Sequence, residues 1–248
     1  MRLTDRVHLI GGSEPGPLMT DPLDSQVYLI RGEDGFAVVD AGAGRSIERI
    51  LANVVADGLD PTSIRWLFLT HAHADHAGGA SAWSDRLPNV RVAMSGESAE
   101  WLRQADEEAT SVGVARIAGI YPPEFRLRAA RIDRELADSE TIALGTDLRL
   151  RVLATPGHSR GHLAFLLEDG PCRILFSGDA LFPGGRILLQ DTWDCDVHNA
   201  LRSVKRLAKL APAALLAGHL GPVLAGAPAH IALATDRIAR LLVPEPLE

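Results

Sequence analysis

The chain has 248 residues, 46% of them apolar and 23% charged, a balance suited to one globular domain with ample core. Its net charge of -7, with no run of lysine and arginine, argues against a nucleic-acid partner, which would be met by a basic stripe. Two cysteines, Cys172 and Cys195, are too few for a disulfide scaffold, and no apolar stretch approaches the roughly 18 residues of a membrane span, so a cytoplasmic protein with no membrane partner is expected. In chain order, the opening "MRLTDRVHLIGGSEPG" holds an apolar run of only four residues and reads as neither signal peptide nor anchor. A strand is expected over Val7–Ile10. The runs Gln26–Arg31 and Phe36–Asp40 flank Gly-Glu-Asp-Gly and predict a hairpin. A helix follows over Gly44–Asp57, with Ile47, Ile50, Leu51, Val54 and Val55 at helical spacing. Strands are expected at Trp66–Thr70 and Val90–Ser95, then a helix over Ser95–Ala109. That helix opens an insertion, residues 96–140, rich in Ala, Arg and Glu, expected to be helical apart from "YPPEF" and to serve packing or oligomerisation, with a lid over a site as the alternative. Strands at Leu148–Ala154, His162–Leu167, Arg173–Ser177 and Ala214–Ala217, and helices at Asp196–Leu210 and Pro228–Leu242, complete the chain. Hairpins mixed with separated helices predict an α/β sandwich with mixed sheets, as one domain over residues 1–248.

The strand ends carry the chemistry. "AVVD" ends at Asp40, "WLFLT" stops before His71, "RVLATPG" before His158, "RILFSG" before Asp179 and "ALLAG" before His219. Sites in open α/β sheets collect at the carboxyl ends of strands, so residues far apart in sequence are expected to meet at one edge.

The densest group is "LFLTHAHADHAGG", which places His71, His73, Asp75 and His76 within six positions. In an extended segment His71 and His73 project to one side and can share an ion. Past Ala74 the chain must turn, since Gly78 and Gly79 follow, and Asp75 and His76 then face a second ion. His158 can complete the first site, His219 the second, and Asp179 can bridge. Three or more protein ligands per ion, with room for water, is the pattern of a catalytic site. Ligands of nitrogen and oxygen alone suit zinc, and also iron, manganese or cobalt.

"HAHADH" together with "TPGHS", "FSGD" and "AGH" resembles the metallo-β-lactamase fold superfamily, and within it the glyoxalase II-like and lactonase-like metallohydrolases. The resemblance runs from "VVDAG" to His219. The interval of 82 residues from His76 to His158 is long for it, and the insertion accounts for the excess. The resemblance implies an αββα sandwich with two divalent ions, zinc first and iron or manganese as alternatives. Site one comes from His71, His73 and His158, and site two from Asp75, His76 and His219, with Asp179 shared. Asp40 supports the ligands by hydrogen bonds. It further implies a dinuclear hydrolase in which a bridging hydroxide attacks the carbonyl of a small ester, thioester or lactone, Asp75 helping to orient it. A homodimer is the assembly it implies.

The segment "ALFPGGRILLQDTW" lacks the lysine and tyrosine by which glyoxalase II holds glutathione, and Phe182 stands where lactonases carry a tyrosine. An iron persulfide dioxygenase-like oxidoreductase is the alternative, ahead of a β-lactamase or a nuclease. Phe182, Arg186, Trp193 and Tyr121 are candidates to line a substrate pocket. His162 is expected to be structural, His8, His198 and His230 to be ordinary, and Cys195 to be a small buried residue.

Overall fold

Several strands of this chain are apolar on both faces, which requires each sheet to be covered on both sides. The computed structural model describes residues 1–247. Its first half runs β1 (Val7–Gly11), β2 (Val27–Arg31), β3 (Phe36–Val39), α1 (Ile47–Ala56), β4 (Ile64–Phe68), α2 (Ala74–Ala77), α3 (Ala80–Arg86), β5 (Arg91–Ser95), α4 (Gly96–Gln104), α5 (Val112–Ile117) and β6 (Arg134–Leu136). The second half runs β7 (Thr141–Ala143), β8 (Leu148–Ala154), β9 (Leu163–Asp169), β10 (Cys172–Gly178), α6 (Val197–Ala208), β11 (Ala214–Ala217) and α7 (Ala227–Ala239).

Six strands form one sheet in the order β1-β2-β3-β4-β5-β6, antiparallel up to β3 and parallel from β3 onward. The other five order as β11-β10-β9-β8-β7, with only β10 and β11 parallel. Strand alternation sorts the apolar residues into three layers. Val27 and Leu29 pack with Ile50, Leu51 and Val54 of α1, whereas Tyr28 and Ile30 face the other sheet. Ile174, Phe176 and Leu216 meet them between the sheets, while Leu175 and Leu215 pack with Val204 and Leu207 of α6 and Ile231 of α7. The result is the expected αββα sandwich. Tyr28 locks the two sheets together near one edge: its ring meets Phe176 edge-on at 5.5 Å and its hydroxyl donates to the Ala217 carbonyl at 2.8 Å.

The hairpin, the major strands and the four long helices lie where expected, with shifted ends. The first helix begins at Ile47 rather than Gly44. The helix expected to reach Ala109 stops at Gln104, capped by Ala105 in the left-handed region at φ 51°. The insertion is less helical than expected: α5 has six residues, and after it the chain runs without regular structure through Pro122 and Pro123, which cannot donate to a helix, into β6. The short strands β6 and β7, three residues each, have no counterpart in the sequence expectations. Among the described residues no helix is long and apolar enough to cross a membrane.

Candidate metal centre

Strand direction brings the predicted residues to one edge. β3 and β4 are parallel, so Asp40 and the His71–His76 segment leave the first sheet side by side. β8 and β10 both run antiparallel to β9, and β11 runs with β10, so His158, Asp179 and His219 leave the second sheet at a common end. Two glycines permit the approach. Gly178 turns the chain at φ 50°, where a Cβ would crowd His162 and Thr70, and a Cβ on Gly218 would strike Asp179 and His76.

The seven predicted ligands form three overlapping groups: His71, His73 and His158; His71, His76 and Asp179; Asp75, His76 and His219. His73 Nδ1 lies 3.1 Å from His71 Nε2 and 2.9 Å from His158 Nε2. On the other side, Asp75 Oδ2 is 3.1 Å from His219 Nε2 and 3.3 Å from His76 Nε2. Asp179 spans both: Oδ1 is 3.3 Å from His76 Nε2, and Oδ2 is 3.4 Å from His219 Nε2 and 3.7 Å from His158 Nε2.

Further partners fix which ring nitrogens face inward. His158 Nδ1–H donates to the Leu188 carbonyl at 3.2 Å and His76 Nδ1–H donates to Asp40 Oδ2 at 2.8 Å, which leaves both Nε2 lone pairs aimed into the cluster. Asp40 is itself held by the Thr70 N–H at 2.8 Å and hydroxyl at 2.9 Å, and sits in the left-handed region at φ 64° at the end of β3. His162 lies outside the ligand groups. It accepts the Asp179 N–H at 3.0 Å and pairs with Thr70's counterpart on the second sheet, Thr155, at 2.8 Å, so its role is to hold the bridging segment.

Burial keeps the His71, His158 and His162 rings neutral. Burial and the other imidazoles hold His71 and His162 well below the ordinary histidine range, and burial with the neighbouring His73 ring brings His158 down to about 4. Burial acts the same way on His76 and His219, but the carboxylates there win: Asp179, Asp75 and Asp40 raise His76, and Asp179 and Asp75 raise His219 to about 9.

These residues fit divalent cations. Imidazole nitrogens and carboxylate oxygens converge within ligand distance of one another, and Asp179 Oδ1 is buried with no hydrogen-bond partner among the described residues. Mixed imidazole and carboxylate donors suit zinc, iron or manganese.

One residue that sequence reasoning misses adjoins the centre. Asp194 is 2% exposed, neither of its oxygens has a hydrogen-bond partner among the described residues, and Oδ2 lies 3.8 Å from His73 Nε2, which is also buried without such a partner. Its position in "TWDCD" gives no spacing signal. Cys195 stays out of the centre; its sulfur accepts the Gln190 N–H at 3.4 Å.

The cluster floors a cavity of about 560 Å³ lined by His73, Asp75, His158, Asp179 and His219 and by residues of the insertion, Tyr121 among them. The Tyr121 hydroxyl donates to Asp75 Oδ1 at 2.9 Å and accepts the Asp75 N–H at 3.1 Å, leaving Oδ2 turned to the cluster. Three expected pocket residues do not line this cavity. Phe182 is fully buried behind the His219 ring, 6.3 Å away. Arg186 is exposed and turns back on Phe182 across a tight backbone bridge. Trp193 packs edge-on against Trp101 at 5.5 Å, its ring N–H donating to the Ala109 carbonyl.

Comparison with known proteins agrees with this geometry. The sequence profile of the metallo-beta-lactamase superfamily matches residues 20–219, and the chain belongs to that superfamily. It is 32% identical over 177 residues to the acyl-coenzyme A thioesterase MBLAC2 of Bos taurus, covering 66% of this chain and 60% of that protein. It is 31% identical over 164 residues to a hydroxyacylglutathione hydrolase of Shewanella sp. (strain ANA-3), covering 65% of this chain and 50% of the relative. The matched regions thus span about half to three-fifths of these relatives. Among solved structures, a metallo-beta-lactamase family protein from Thermus thermophilus superposes with a TM-score of 0.71 at 27% identity, over 97% of this chain and 82% of its own. A B3 metallo-beta-lactamase with an active site glutamic acid reaches the same TM-score, 0.71, at 21% identity over 96% and 88% of the two chains, a likeness of fold alone.

Proposed function

We propose that this chain is a dinuclear metal-dependent hydrolase that cleaves a small ester, thioester or lactone. The observation that carries the reading is the convergence of seven nitrogen and oxygen ligands into three overlapping groups at the floor of a cavity. His71, His73 and His158 would hold one ion, Asp75, His76 and His219 the other, and Asp179 both. Divalent ions there supply Lewis acidity, lowering the pKa of a bound water from about 15.7 towards 7 and polarising a carbonyl. The chain does the rest. Asp40 and the Leu188 carbonyl fix two ring tautomers, Tyr121 fixes the Asp75 carboxylate, and the cavity gives a substrate carbonyl access to the cluster. The names of the thioesterase and hydroxyacylglutathione hydrolase relatives support acyl transfer to water as the reaction class. The ligand types favour zinc. The partner we propose is a small molecule, and the two free cysteines, Cys172 and Cys195, suit action in the cytoplasm.

The test is substitution with a structural control. His73→Ala and Asp179→Asn should each bring hydrolysis of a panel of esters, thioesters and lactones to background while the far-UV circular dichroism stays near that of the parent. Full activity in either variant would refute the assignment.

A further inference from the structure

Away from the metal-facing residues, one wall of the cavity is apolar, while Ser13, Thr110, Ser111, Gln190 and Thr192 line other parts of it. Val114, Ala115, Ala118 and Ile120, from α5 and the turn after it, line it with Leu23 and Leu188. Val114 and Ile120 are each 56% exposed, and neighbouring Ile117 is 90% exposed. Single exposed apolar side chains are ordinary, but several on one short segment beside a ligand cluster form a patch with a use. The backbone of this segment is firmly placed: Arg116 pairs with Glu107 and donates to the Phe125 carbonyl at 2.8 Å, and Tyr121 stacks on Phe125 at 4.8 Å. The wall therefore presents its apolar side chains from a fixed support.

The charge of the cavity is equally one-sided. Among the described residues no lysine or arginine lines it, and its carboxylates are Glu14, Asp75, Asp179 and Asp191. Asp75 and Asp179 belong to the metal cluster, which leaves exposed Glu14 and Asp191 to face a ligand. A nearby cation is engaged elsewhere: Arg160 pairs with Glu97 at 2.9 Å and lies over the Trp193 ring at 5.5 Å. Away from the metal-holding floor, a carboxylate or phosphate on the leaving group would find no cationic side chain lining the cavity and two like charges.

We propose that the α5 wall is an acyl subsite, and that the cavity selects an apolar acyl group joined to an uncharged alcohol or thiol over esters carrying carboxylates or phosphates. This rests on the hydrolase reading above. In the step it serves, the acyl C–O or C–S bond breaks and a water oxygen bonds to the acyl carbon. The leaving alcohol or thiol takes one water proton, and the other is released as the product acid ionises.

The test uses the metal-loaded protein and thioesters that share an acyl chain but differ in the leaving group. Octanoyl-N-acetylcysteamine is neutral, whereas octanoyl-glutathione and octanoyl-coenzyme A are anionic. The neutral ester should have the higher kcat/KM, by roughly tenfold or more. From acetyl to octanoyl in the neutral series, kcat/KM should rise by about two- to fourfold per methylene while the chain is being buried. Val114→Asp should lower the octanoyl value about tenfold more than the acetyl value. A second arm needs no turnover: calorimetric titration should show octanamide binding at least tenfold tighter than acetamide, and S-octylglutathione binding no tighter than octanamide. An anionic ester preferred tenfold, or no dependence on acyl length in either arm, overturns the proposal. Absence of hydrolysis for every ester would instead refute the hydrolase reading, and the binding arm would still decide the subsite.

Discussion

One cavity is built on opposite terms at its floor and its wall. At the floor, His71, His76, His158 and Asp179 are no more than 2% exposed, and the last three are bonded to partners from other segments. Strands of two sheets must be in register before those groups meet, so the floor inherits its rigidity from the core. The α5 wall has short helical structure, large exposed apolar side chains and no metal-ligating residue. Its energetics are local, and its side chains can change without disturbing the sheets. A floor change should therefore act on every substrate alike, and a wall change should act according to what the substrate places against it.

The largest contrast is in pH. Without metal, His219 is held up to about 9 and His76 is raised as well, by the surrounding carboxylates against the effect of burial. Both rings carry a proton at neutral pH, and a metal ion needs their lone pairs, so affinity must fall as pH falls. Each displaced proton costs about tenfold per pH unit below the raised value. Chelator competition at pH 6, 7 and 8 should show roughly hundredfold weakening per unit if both protons leave. Binding of octanamide at the wall should stay level over the same range, and an equal slope for the two would erase the distinction.

Asp40→Asn comes next. The carboxylate that orients His76 through a 2.8 Å bond becomes an amide, and about 10- to 100-fold in metal affinity or activity should be lost, equally for acetyl and octanoyl esters. Asp194→Asn should act in the same direction through His73, by about tenfold. Unchanged metal affinity in the Asp194 variant would show that this buried carboxylate has no hold on the centre. The smallest effect is expected at the wall: Ile120→Ser should change unfolding free energy by no more than about 0.5 kcal/mol, because the side chain is 56% exposed, while lowering the octanoyl-to-acetyl ratio. Denaturant melts beside the kinetics check both parts.

The same contrast decides what the sequence makes readable. The floor is legible because few residue types bind metals, and Asp40, His71, His158, Asp179 and His219 all stand at or just past strand ends. The sandwich is legible because runs such as "VYLI" and "ILF" are apolar on successive residues and so need cover on both faces. The wall is not. Val114 and Ile120 are indistinguishable in sequence from core residues, and the insertion that carries them reads as packing, as an assembly surface or as a lid over a site. Position after the bridging aspartate suggests a pocket role for Phe182 and Trp193, but Phe182 is buried behind the His219 ring, and half-exposed Trp193 packs against Trp101 instead. Asp194 escapes because its partnership with His73 depends on how a loop after β10 returns to the first sheet. The alternation of faces that locates ligands on strands says nothing about such a return.

The central claim is that the edge of the sandwich holds two metal ions between one set of seven ligands. Elemental analysis of the protein purified without added metal, with protein concentration measured on the same sample, tests it most directly. About two divalent ions per chain, zinc foremost, with a proportional loss in Asp179→Asn, is the predicted result. A single iron per chain that does not rise on metal addition would contradict the dinuclear account and direct attention to oxygen-dependent chemistry.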